Sequence, residues 1–112
     1  MSNSFEQMTI HQFYPRWLTS SENRRPFCVV DVRTPEEFAQ GHVPGAMLKP
    51  LDRLGDLSED LPKQSDLHLI CRSGMRSQKA AQMLAAAGFT RLINIEGGTM
   101  AWINAGYPVD LS

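Results

Sequence analysis

Short apolar runs that alternate with helical segments predict an α/β fold, a parallel sheet covered by helices on both faces. Three observations carry the prediction. Residues 27–32, 67–70 and 91–95 are short apolar runs, and the first is rich in β-branched residues, as suits a buried strand. Between and after them lie segments with recognisable helix start and stop signals. Finally, Cys71 stands where an apolar run ends and a helix begins, and in open α/β sheets sites lie outside the carboxyl ends of strands.

In chain order, residues 1–8 read as a loose leader ending in a short extended piece. Thr9 is placed to N-cap a helix over residues 10–18, with Ile10, Phe13, Trp17 and Leu18 on one face. Pro15 is expected to kink or shorten that helix. Residues 20–26 form a polar turn before the strand 27–32, where Cys28 serves as a small buried apolar residue. The next helix announces itself: Thr34 is the N-cap, Pro35 fits the first helical position, and Glu37 closes a capping box. Gly41 ends it, and residues 42–46 turn tightly into a brief strand over 46–48. Leu51, Leu54, Leu57 and Leu61 recur every three or four residues, which predicts short helical turns stopped by Pro62. After the strand 67–70 and its loop, a strong helix former covers 77–87, with Gly88 at the C′ position. Residues 91–95 are a strand and Glu96-Gly97-Gly98 a loop. A last helix covers 99–105, with Ala101, Trp102 and Ile103 turned inward, and Gly106 and Pro108 end it. Nothing divides the 112 residues into parts, so a single domain of ordinary size is expected over 1–112.

Bulk properties exclude several functions. A net charge of −1, with no basic stripe beyond Arg24-Arg25, argues against nucleic acid and anionic membranes as partners. No apolar run approaches the roughly 18 residues of a membrane span. The first residues lack the charged and apolar regions of a signal peptide, so a cytoplasmic setting is expected. The two cysteines lie far apart in sequence without a His/Cys cluster, which supports neither a disulfide framework nor a metal site.

Cys71 is the chemical focus. Unpaired N–H groups and the helix dipole at the start of the following helix favour an anion there. Both lower a thiol from its usual value of about 8.5, and the thiolate is the nucleophile. Arg72 and Arg76 add positive charge in the same loop, Gly74 supplies conformational freedom, and successive amides curling around one sulfur make an anion-holding nest. Arg76 is suited to hold the loop, Arg72 to face solvent and meet an incoming dianion, and Met75 to shape the pocket mouth. Other polar residues have structural readings: Asp31 and Arg33 as an ion pair at a strand end, His42 bonded to backbone, His68 as a satisfied sheet histidine, His11 on the surface and Trp102 in the core.

Three stretches resemble the rhodanese (sulfurtransferase) family and its single-domain members: DVRTPEEF with GHVPGA from Asp31 to Ala46, CRSGMRS from Cys71 to Ser77, and GGTMAW from Gly97 to Trp102 with GYPV behind it. With the strand before them they span residues 27–109. The resemblance implies a five-stranded parallel sheet flanked by helices and a cysteine that alternates between thiolate and persulfide. On that likeness Cys71 is the nucleophile, and Arg72, Ser73, Gly74, Met75, Arg76 and Ser77 form the substrate-binding loop. The likeness further implies thiosulfate or a similar donor; cyanide, a thiol or thioredoxin as acceptor; and no cofactor. The paired arginines resemble thiosulfate-using members more than the mercaptopyruvate-using branch. Two rivals stay open. A cysteine phosphatase or arsenate-reductase-like enzyme also sets Cys and Arg around an anion-holding loop, but with five residues between them against four here. A non-catalytic binding module of the same fold is the other rival, although such relatives typically lack the cysteine.

Overall fold

The computed structural model describes residues 5–20 and 27–111. Most of the expected turn over 20–26, including Arg24-Arg25, and most of the leader lie outside the described residues. Five strands, β1 (Glu6–Thr9), β2 (Cys28–Asp31), β3 (Met47–Leu48), β4 (Leu67–Ile70) and β5 (Leu92–Glu96), form one sheet in the order β1-β5-β4-β2-β3. Every pairing is parallel, as crossover connections require. The helices are α1 (Ile10–Leu18), α2 (Pro35–Ala39), α3 (Leu54–Leu57), α4 (Met75–Ala86) and α5 (Gly98–Asn104).

Side chains that alternate along the strands feed two cores. Val30, Leu67, Leu69 and Leu92 pack with Leu54 of α3 and Ala80, Ala81 and Leu84 of α4. Val29, Ile70, Ile93 and Ile95 pack with Ile10 and Phe13 of α1 and Trp102 of α5. The sheet is thus buried on both faces, which is why its strands read as continuous apolar runs. The extended piece of the leader is an edge strand, β1, whose register sets Gln7 opposite Asn94.

Both expected caps form. Thr34 and Glu37 make a reciprocal capping box, and Thr9 makes a second one with Gln12. Helix α1 runs through Pro15 to Leu18, so the proline does not shorten it. Two inward assignments are corrected. Leu18 is 54% exposed and Ile103 45% exposed, because Trp17 and Trp102 already fill the interior beside them. Helix α4 begins at Met75, two residues earlier than expected, because Gly74 adopts φ +107° as its N-cap and turns the chain at once. Met75 and Arg76 therefore belong to the helix rather than to the loop. No helix among the described residues is long and apolar enough to cross a membrane.

Candidate active site

The four residues of β4 are all buried, and Cys71 follows as the strand ends. Residues 72 and 73 bend the chain, Gly74 reverses it, and α4 starts. The cysteine is 1% exposed, and its Sγ accepts a hydrogen bond from the Gly74 amide at 3.1 Å. Burial is the largest single influence on the thiol and pushes it up. The Ser77 hydroxyl and the amides of Ser77, Gly74 and Ser73 together outweigh it, so the thiol lies below its ordinary value. Hydrogen bonds converging on sulfur, more than arginine charge, favour the thiolate. Cys28 behaves oppositely: burial raises it, against a smaller lowering by Ser65.

A second helix start braces the loop from outside. The amides of Thr99 and Met100 donate to the carbonyls of Cys71 at 2.8 Å and Arg72 at 3.0 Å. Such closeness needs Gly98, since a Cβ there would overlap the Cys71 carbonyl oxygen and stand 2.6 Å from the Arg72 carbonyl.

The two arginines have different surroundings. Arg72 is exposed. Arg76 is held in a two-pronged ion pair with Glu37, at 2.7 and 2.8 Å. Those hydrogen bonds are the chief cause that holds the Glu37 carboxyl down to about 2, and Glu37 is in turn the main influence raising Arg76. Met75 is 80% exposed, Ser73 is exposed, and Gly74 and Ser77 are buried. A cleft of about 140 Å³ beside the loop is lined by Arg72, Thr99, Met100 and Ile103 together with Glu37 and Gly41.

The structural readings of the flanking residues hold, except that His68 is only half satisfied: its buried Nε2 has no partner among the described residues. Arg33 pairs with Asp31 at 2.8 Å and donates to the Gly41 carbonyl at 2.9 Å, which fixes the turn after α2. His42 Nδ1 donates to the Phe38 carbonyl at 2.8 Å, and His68 Nδ1 to the Cys28 carbonyl at 2.9 Å. Three contributors were not evident from sequence. Glu37 reads as a cap and also clamps Arg76; Gly98 reads as a flexible loop residue and is a close-approach site. Asn94, which bonds Ser77, signals itself only as a polar residue inside an apolar run.

A family model for the rhodanese-like domain matches residues 15–105. The chain is 40% identical over 81 residues to a protein of Allochromatium vinosum named sulfurtransferase, covering 72% of this chain and 76% of that one. It is 41% identical over 91 residues to thiosulfate sulfurtransferase 16 of Arabidopsis thaliana, covering 70% of this chain and 76% of that one. Other relatives are longer: the chain spans 52% of one from Synechocystis and 40% of one from Bacillus subtilis. Among solved structures, a rhodanese-related protein from Thermoplasma volcanium superposes with a TM-score of 0.84 at 27% identity, covering 96% of this chain and all of that one.

Proposed function

We propose that this chain, which belongs to the rhodanese-like domain family, is a sulfurtransferase that moves a sulfane sulfur from thiosulfate or a similar donor, through a persulfide on Cys71, to cyanide or a thiol. The observation that carries the reading is the set of donors converging on Sγ: the Gly74 amide at 3.1 Å, with the Ser73 and Ser77 amides in reach. These hold a thiolate before transfer and, once a sulfur is added, face the terminal sulfur that bears the charge.

The reaction balances without acid or cofactor. The Cys71 thiolate attacks the outer sulfur of thiosulfate; the donor's S–S bond breaks, and sulfite leaves with the electron pair as a stable anion. Cyanide then attacks the outer sulfur of the persulfide, thiocyanate forms, and the Cys71 thiolate returns. A thiol acceptor, whether a small thiol or thioredoxin, instead leaves as a persulfide. Arg72, exposed on the cleft beside the loop, meets the dianion, and Met75 shapes the mouth. We place the reaction in the cytoplasm, where the two free cysteines stay reduced.

Phosphoryl chemistry is disfavoured on two counts. Four residues separate Cys71 from Arg76, and the Arg76 guanidinium is committed to Glu37 rather than free to clasp a phosphate. The direct test is intact mass spectrometry after incubation with thiosulfate. One added sulfur atom on Cys71, released by cyanide, is expected. Loss of the mass shift in Cys71→Ser completes the assignment, whereas an unmodified wild type overturns it.

A further inference from the structure

Beneath the loop three polar side chains form a line of hydrogen bonds. Asn94 is 2% exposed, set between Ile93 and Ile95 in the interior of β5. Its Nδ2 donates to Gln7 Oε1 on β1 at 2.8 Å, and the Ser77 hydroxyl donates to its Oδ1. Ser77 is fully buried three residues after Gly74, whose amide bonds the Cys71 sulfur, and hydrogen bonding by its hydroxyl is one of the influences that lower that thiol. A hydroxyl has one proton, so it does not donate to Asn94 and to sulfur at once. The two amides, however, carry a donor and an acceptor on opposite sides of a planar group, and turning each over exchanges them with little displacement. In the reversed direction Gln7 Nε2 donates to Asn94 Oδ1, Asn94 Nδ2 donates to Ser77 Oγ, and the Ser77 proton points at sulfur.

We propose that Gln7, Asn94 and Ser77 form a reversible hydrogen-bond relay, which gives the Cys71 sulfur a donor while it is a thiolate and withdraws that donor when the sulfur is a thiol or the inner atom of a persulfide. The persulfide half of this statement rests on the sulfurtransferase reading above. When the S–H proton leaves to solvent, the sulfur becomes an acceptor and the relay turns toward it. After the thiolate has bonded the incoming sulfur and the leaving group has departed with its electron pair, the charge sits on the outer sulfur among the loop amides. The inner sulfur then needs no donor, and the Ser77 proton returns to Asn94. Gln7 lies on an exposed edge strand, so it turns over in water and lets the buried Asn94 follow. Asn94 and Gln7 act through Ser77 and are positioning residues.

The charged groups near the thiol are Arg72 and Arg76 of its own loop and helix, the Asp31–Arg33 pair on β2, and Glu37 on α2. Glu96 ends β5. Among the described residues, none of these side chains hydrogen-bonds to Ser77, Asn94 or Gln7, so the relay is separable from them by substitution.

The test titrates Cys71 by the ultraviolet absorbance of its thiolate, in a Cys28→Ser background and without any sulfur donor. Gln7→Glu accepts only, which pins the Ser77 proton on Asn94; Gln7→Lys donates only, which pins it on sulfur. The midpoint is expected to rise by about half a pH unit in the first and fall by about as much in the second. Surface charge alone would push the same way, so both are repeated with the line cut by Ser77→Ala and, independently, by Asn94→Leu. There each shift is expected to shrink to less than half, the remainder being the effect of surface charge. Shifts that persist undiminished in either cut background, or Gln7 variants that leave the midpoint unmoved or move it in one direction, overturn the relay. Sulfur loading is read in parallel by intact mass. Its absence overturns the sulfurtransferase reading and leaves the thiol titration to judge the relay.

Discussion

Cys71 and Cys28 share a side chain and differ in what surrounds it. Donors converge on one sulfur; burial dominates at the other. Thiocyanate formation from thiosulfate and cyanide is therefore expected to fall below about a thousandth of wild type in Cys71→Ser or Cys71→Ala. Cys28→Ser is expected to retain the chemistry, at a stability cost of about 1–3 kcal/mol where its hydroxyl is left unpaired. Steady-state kinetics and denaturant melts check the two halves. The arginines divide in the same manner. Arg72→Ala is expected to raise KM for thiosulfate about tenfold, the equivalent of one charge-assisted hydrogen bond, with kcat nearly kept and a strong salt dependence. Arg76→Ala releases the Glu37 clamp and is expected to lower kcat as well. Identical defects in both variants would refute the division.

At the scale of elements, the site is a junction of two helix starts over one strand end. Helix α4 supplies amides to the sulfur, and α5 supplies amides to the carbonyls just behind it. Gly98, at φ +59°, permits that second approach. Gly98→Ala is expected to push α5 off the loop, costing about 1–3 kcal/mol of stability and slowing sulfur transfer at least about tenfold. Unfolding midpoints and kcat/KM measure the two effects, and a variant with wild-type values for both would show that the bracing is dispensable. Loop length is the companion feature. A glycine inserted after Gly74 is expected to reduce sulfur transfer, because amides about 3 Å from the sulfur no longer converge. Parallel assays with thiosulfate and an aryl phosphate check this; wild-type phosphate hydrolysis as fast as sulfur transfer would contradict the reading.

For the molecule as a whole, His68 and Glu37 are among the groups that weaken the fold in acid. His68 is 1% exposed, and its Nε2 has no partner among the described residues. Burial is the main cause that lowers it below 6.5, against smaller raising effects from the Cys28 carbonyl and Asp66. Just below 6.5 the unfolded chain holds a proton there that the folded chain does not, so stability is full above that value and declines as pH drops through it. Glu37 acts in the same direction lower down: its contribution is present above about 4.5 and is lost as pH falls toward about 2. Urea midpoints measured from pH 7.5 to 5 are expected to fall, and His68→Phe is expected to flatten that fall; an unchanged slope in the variant would remove His68 from the account.

Features encoded by local spacing were legible in the order of residues along the chain. Apolar runs with helix caps between them specified a doubly covered parallel sheet, the Thr34–Glu37 box specified the start of α2, and the position of Cys71 between strand and helix pointed to the sulfur we propose as the nucleophile. These are readable because each rests on residues within one or two turns of each other. Tertiary structure alone decided the rest. That Glu37 clamps Arg76 across 39 residues, that Gly98 lets α5 press on the Cys71 carbonyl, and that Gln7 and Asn94 meet Ser77 from strands at opposite ends of the sequence follows from crossovers that bring distant segments together around one sheet. Hydrogen bonds form over about 3 Å of space whatever the sequence separation, so only the packed fold selects which of the compatible polar residues become partners.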